Sequence, residues 1–260
     1  MENKRFTLDE VMINSHLCSV FRKIMCIGDS LSSGEYESTK ADGSKGYHDF
    51  YEYSWGQFIA RTRGAEVINA SRGGMTAKEF VNGFADWKGF FGSDYASQAY
   101  IIALGVNDKG QPYPTGSVDD VCDEDWKKNK ETFAGYYGAI IQRIKIQQPK
   151  AKIFLVTVPN ETNRTEEIAT KYAEQRKLLY DFAKKFEHTF VLDLYERAPI
   201  YDEKMHEEFF CGGHMNAFGY LFTAEIIMKL MDEIIASDYE EFSQVGFIGK
   251  GGMFNAHQKW

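Results

Sequence analysis

The chain has 260 residues, 43% of them hydrophobic, which suffices for one substantial core and lies in the range where α/β folds run as a single domain. A formal net charge of −8 excludes the clustered Lys and Arg that nucleic acid or an anionic membrane surface requires, so neither is an expected partner. Four cysteines lie far apart with no CxxC pair, which predicts reduced, mostly buried thiols and argues against a disulfide framework or zinc bound by cysteine.

In chain order, residues 1–23 carry Lys4 and Arg5 without a continuous apolar segment after them. The segment reads neither as a secretory signal nor as a membrane span, and the expected location is cytoplasmic. It is expected to form a helical extension on a core running from about 24 to 236.

Five short apolar runs follow: KIMCIG (23–28), EVINA (66–70), AYIIALG (99–105), KIFLVTV (152–158) and TFVLDL (189–194). Each is rich in Val, Ile and Phe and reads as a buried strand. Between them, residues 55–64, 76–87, 125–149 and 165–186 have helical patterning with Thr caps and Gly or Pro stops, and a last helix runs from about Ala217 to Ile235. Strands alternating with helices predict an α/β protein, a three-layer α/β/α sandwich around a five-stranded parallel sheet. Ligands of such sheets bind beyond the carboxyl ends of the strands.

Those ends carry Gly28-Asp29-Ser30-Leu31, then Ser71-Arg72-Gly73-Gly74, then Gly105-Val106-Asn107-Asp108, and Cys211-Gly212-Gly213-His214-Met215-Asn216 follows the fifth strand. A serine, a glycine pair, an asparagine and a histidine on one edge supply what acyl transfer needs: a hydroxyl activated by an imidazole, and donors for an oxyanion. Ser30 is the candidate nucleophile and His214 the candidate base. Gly74, Asn107 and the Ser30 N–H are the candidate oxyanion donors.

GDSL at 28–31, Gly74, GxND at 105–108 and HxN followed by GY at 214–220 resemble, in order, the four blocks of the GDSL or SGNH hydrolases. The resemblance spans about Ile24 to Tyr220. It implies a flavodoxin-like SGNH fold, an ester or amide-like acyl substrate, these same site residues, and no metal or organic cofactor.

One position departs from that pattern. The family's last block is DxxH, and Cys211 stands where the aspartate is expected. A thiol neither fixes an imidazole tautomer nor stabilises an imidazolium as a carboxylate does. The substitute is either a backbone carbonyl near 208–211 or a carboxylate such as Asp202, Glu207 or Glu208; otherwise the centre works as a Ser–His dyad.

Other polar residues have plain readings. Asp29 and Asp108 read as loop or cap residues, Cys211 as packing, and His16, His48, His188, His206 and His257 lack metal-binding spacing. Arg72 reads equally as a substrate contact or a structural ion pair. Residues 34–55, with Tyr47, Phe50, Tyr51, Tyr53 and Trp55 and a turn at Asp42-Gly43, suit either a core or a wall beside the nucleophile, while residues 109–125 suit a second, acidic rim. The tail 238–260 is expected to pack on the body or on a partner copy. The reading is therefore a serine esterase for small acyl groups, such as acetyl on a carbohydrate. The alternative is a non-catalytic carbohydrate- or anion-binding module, and a homo-oligomer is compatible with both.

Overall fold

The computed structural model describes residues 5–7, 10 and 16–243. Its centre is a five-stranded, all-parallel sheet of β1 (Lys23–Gly28), β4 (Glu66–Ser71), β5 (Ala99–Ala103), β6 (Lys152–Val156) and β7 (Thr189–Leu192), in the order β4-β1-β5-β6-β7. All five predicted strands are present. Numbered among themselves, their order is 2-1-3-4-5, the flavodoxin-like doubly wound arrangement, whose order reverses beside β1.

Successive residues of a strand face opposite sides, so each strand serves two cores. Ile24 and Cys26 of β1 pack with Trp55, Ile59 and the helix Ala217–Ser237. Met25 and Ile27 pack on the other face against Phe133, Tyr137 and Ile141 of the helix Phe133–Gln147 and against Leu178 and Phe182 of the helix Glu166–Lys185. The fold is thus the expected three-layer α/β/α sandwich.

Two helix expectations are corrected. The helix expected over 125–149 begins only at Phe133, because Thr132 adopts extended backbone and its hydroxyl accepts from the Gly135 N–H; residues 126–128 form a single 3-10 turn. The stretch expected as one helix over 76–87 widens into a π turn at Phe80–Phe84 before regaining α geometry at Ala85–Lys88.

Two small hairpins also lie outside the predicted elements. β2 (Glu35–Thr39) and β3 (Lys45–Asp49) pair antiparallel around the Asp42-Gly43 turn, and β8 (Phe210–Cys211) pairs with β9 (His214–Met215). The N-terminal extension is described at 5–7, 10 and 16–23, where Phe6 is buried and Leu17–Val20 form a 3-10 turn. Of the expected tail, Phe242 docks in the core and Lys152 pairs with Glu241; residues 244–260 lie outside the described residues. No helix among the described residues is long and apolar enough to cross a membrane.

Candidate active site

Ser30 opens the short helix Ser30–Ser33, directly after β1. The turn is tight. A Cβ at Gly28 would collide with the Ser32 side chain, and Gly34 closes the helix at φ +85°, a conformation that favours glycine. Asp29 is almost fully buried and caps the helix, its Oδ1 accepting from the Leu31 N–H at 3.0 Å. Burial pushes its carboxyl up to about 7.

The Gly74 and Asn107 loops are bonded to each other. The Asn107 side-chain amide donates to the Met75 carbonyl at 3.1 Å, which leaves the amide's second hydrogen for another acceptor. Asp108 accepts from the Ala77 N–H at 3.0 Å and from the Tyr113 hydroxyl at 2.7 Å, so it is a structural clamp on the same junction. Its burial raises its carboxyl to about 6. Gly74 sits at φ +71° with open space where a Cβ would be; its backbone conformation, not steric room, is what calls for glycine.

His214 stands in β9 beside the Ser30 helix, and its side chain is about 15% exposed. Two carboxylates flank its ring: Glu35 Oε1 lies 3.1 Å from Nε2 and Glu37 Oε2 lies 3.7 Å from Nδ1. Both come from β2, where alternate residues share a face. Glu37 is anchored by Lys45 at 2.5 Å and by the Gly213 N–H at 3.0 Å, contacts that hold its carboxyl below the usual range. Burial instead raises the Glu35 carboxyl, against the pull of the neighbouring His214. Glycines make room for both: a Cβ at Gly73 would collide with Glu35 and one at Gly212 with Glu37. The Tyr220 hydroxyl joins the parts, lying 2.5 Å from the Glu35 carbonyl and 3.4 Å from that of Ser30.

Two of the sequence candidates for orienting His214 are engaged elsewhere. Asp202 caps the helix Glu203–Phe209 through the Met205 N–H, and Glu208 pairs with Lys204 on the surface. Cys211 sits opposite His214 in the β8–β9 register with its side chain exposed, which corrects its reading as packing. The expectation of mostly buried thiols holds for Cys18 and Cys26 but not for Cys122 or Cys211. Glu35 and Glu37 escaped sequence reasoning, although the Asp42-Gly43 turn was a hairpin signal.

Arg72 pairs with Glu79 at 3.7 Å, and His206 pairs with Glu161 at 2.8 Å. Among the expected wall residues, Trp55 is core, whereas Tyr47 is 55% exposed and sets its ring edge-on to His214, centroids 5.6 Å apart. A cavity of about 280 Å³ is lined by Asp29, Leu31, Val106, Gly213 and Met215, the chain neighbours of Ser30, Asn107 and His214. Its wall carries buried polar atoms without protein partners, Asp29 Oδ2, Ser32 Oγ and Tyr201 OH among them, which suit bound water. No cluster of three or more His, Cys, Asp or Glu suited to a metal ion occurs among the described residues.

A doubly wound sheet with a serine turn, an asparagine loop and a histidine on its carboxyl edge defines the class of GDSL/SGNH hydrolases. A family model described as the GDSL-like Lipase/Acylhydrolase family matches residues 26–221; the chain belongs to this family and is an ester-hydrolysing enzyme. Among solved structures it is similar to a family two carbohydrate esterase from Clostridium thermocellum in complex with cellohexaose, at 15% identity and a TM-score of 0.57, covering 85% of this chain and 65% of that one. It is also similar to a carbohydrate esterase family 2 enzyme plus carbohydrate binding domain from Corynascus thermopiles (Myceliophthora fergusii), at 17% identity and 0.54, covering 84% and 66%. A Clostridium thermocellum family 3 carbohydrate esterase aligns at 14% identity and 0.51, covering 83% and 97%. Against the two family 2 enzymes the chain thus spans about two thirds of their length. No curated protein sequence matches it.

Proposed function

We propose that this enzyme removes small acyl groups, acetyl foremost, from a carbohydrate ester, with Ser30 as nucleophile and His214 as base. Ser30 Oγ attacks the ester carbonyl while its proton passes to His214, and the oxyanion takes hydrogen bonds from the Ser30 and Gly74 N–H groups and the Asn107 amide. Collapse breaks the bond to the sugar oxygen, which receives the proton from His214. Water, deprotonated by the same imidazole, then releases the acid and frees Ser30.

The observation that carries this reading is the shared Tyr220 hydroxyl, which ties the Ser30 turn to Glu35, the residue seated on His214. The carbohydrate preference draws support from the esterases that share the fold and from the polar, aromatic hairpin bearing Tyr47 beside the imidazole. Turnover of p-nitrophenyl acetate, an acetylated oligosaccharide and long-chain esters by wild type, Ser30→Ala and His214→Ala tests it. Loss of turnover in both variants and preference for the acetyl esters are expected; full activity in either variant, or faster turnover of long chains, overturns the corresponding part.

A further inference from the structure

Resting on the Ser30–His214 reading, we propose that Glu37 is the positioning residue of His214, supplied by the β2–β3 hairpin instead of by the loop that carries the histidine. A neutral imidazole holds one N–H and one lone pair. To take the Ser30 proton at one nitrogen it must keep its hydrogen on the other, and a carboxylate facing that second nitrogen fixes this tautomer.

The two nitrogens of His214 are not equivalent. Nε2 faces Glu35 Oε1 at 3.1 Å, and Nε2 is assigned to the nucleophile, as the base nitrogen of a Ser-His-acid triad is. Nδ1 is buried, lacks a hydrogen-bond partner, and has Glu37 Oε2 at 3.7 Å. That gap exceeds a hydrogen bond, and catalytic contacts in ligand-free sites commonly tighten when substrate binds.

Glu37 is built for a fixed charge. Its side chain is 7% exposed, Lys45 and the Gly213 N–H hold it, and Gly212 leaves the space it fills. The Gly213 contact matters doubly, because it fastens the carboxylate to the residue next to His214. Glu35 lacks such a set of anchors and occupies the nitrogen that has to accept a proton. For His214 to act as base, Ser30 Oγ must replace Glu35 at Nε2 when substrate binds, with the imidazole hydrogen on Nδ1. During attack the Ser30 proton moves to Nε2, the Oγ–C bond forms and the carbonyl pair moves onto oxygen; the Nδ1 proton stays on Nδ1, facing Glu37. Collapse returns the Nε2 proton to the departing alcohol.

The test compares wild type, Glu37→Gln, Glu37→Asp, Glu35→Gln, Lys45→Met and Ser30→Ala by p-nitrophenyl acetate kinetics, fluorophosphonate labelling and thermal unfolding. Glu37→Gln is expected to lower kcat by about 10²- to 10⁴-fold with little change in KM, and to slow labelling in parallel. Glu37→Asp, which keeps the charge, is expected to recover at least about tenfold of that loss, and Lys45→Met to cost roughly three- to thirtyfold by freeing the carboxylate. A folded Glu37→Gln with wild-type kcat, or a large loss confined to Glu35→Gln, overturns the assignment. Should Glu37→Gln not fold, a folded Lys45→Met with unchanged kcat overturns it. Turnover persisting in Ser30→Ala would instead reject the esterase mechanism itself, a separate outcome.

Discussion

Gly73 and Glu35 occupy one space: the glycine follows β4, the glutamate opens β2, and a side chain at 73 would displace the carboxylate that touches His214 Nε2. Gly73→Ala therefore acts on the site more than on the fold. The atoms it meets are the end of a flexible side chain, so the cost in stability should stay within about 1 kcal/mol. Stopped-flow or steady-state turnover should nevertheless change severalfold as Glu35 moves. A loss of several kcal/mol in urea unfolding, with turnover untouched, would show a purely structural glycine.

The neighbouring glycine predicts a different balance. Gly74 lies at φ +71° with nothing within 4 Å of where a Cβ would stand, so Gly74→Ala clashes with no side chain and costs only the left-handed backbone, about 1 kcal/mol. Relaxing that strain rotates the peptide and with it the N–H proposed as an oxyanion donor. A fall in kcat approaching the 10²- to 10³-fold typical of a lost donor is expected, with KM nearly constant. An alanine variant with wild-type kcat would remove Gly74 from the oxyanion hole.

How much of this was legible in the sequence follows from where the physical signal lies. The five buried strands are continuous apolar runs, and the blocks at their ends sit where a doubly wound sheet gathers ligands, so fold and site edge were readable. The hairpin was not. Glu35–Thr39 and Lys45–Asp49 are polar and mostly exposed or half-buried, so no burial pattern marked them as strands. Glu37 also lies 176 residues from Gly213, its backbone partner, and no local spacing links them. The helix expected from 125 failed for a local reason: Asp125 caps only a single 3-10 turn, and the α-helix starts where the Thr132 hydroxyl accepts from the Gly135 N–H.

Tyr47 offers a prediction about substrate alone. Its ring meets His214 edge-on yet is more than half exposed, so little core packing depends on it. Tyr47→Ala should leave the unfolding midpoint nearly unchanged and raise KM for an acetylated oligosaccharide by about three- to tenfold, the loss of an aromatic contact worth about 1 kcal/mol. The same variant should change KM for p-nitrophenyl acetate less. Equal effects on both substrates would argue against a sugar-facing wall.

The buried carboxyl of Asp29 makes stability fall as pH rises. Burial holds it near 7 in the folded protein, against about 3.9 for an unperturbed aspartate, so between these values the folded state binds more protons than the unfolded one. Its stabilising share is fully present below about pH 4 and is lost as pH rises through about 7, a change of up to roughly 4 kcal/mol if no cavity water solvates Oδ2. Asp108, held near 6, adds a smaller change of the same sign that is complete about one unit earlier. Asp29→Asn keeps an oxygen for the Leu31 N–H and removes the titration, and asparagine caps helices as well as aspartate does. The variant should therefore gain on wild type as pH rises from 5 to 8 in urea unfolding at matched ionic strength. A parallel pair of stability curves across that range would mean that Asp29 is already ionised in the folded enzyme, with water in the adjoining cavity as its partner.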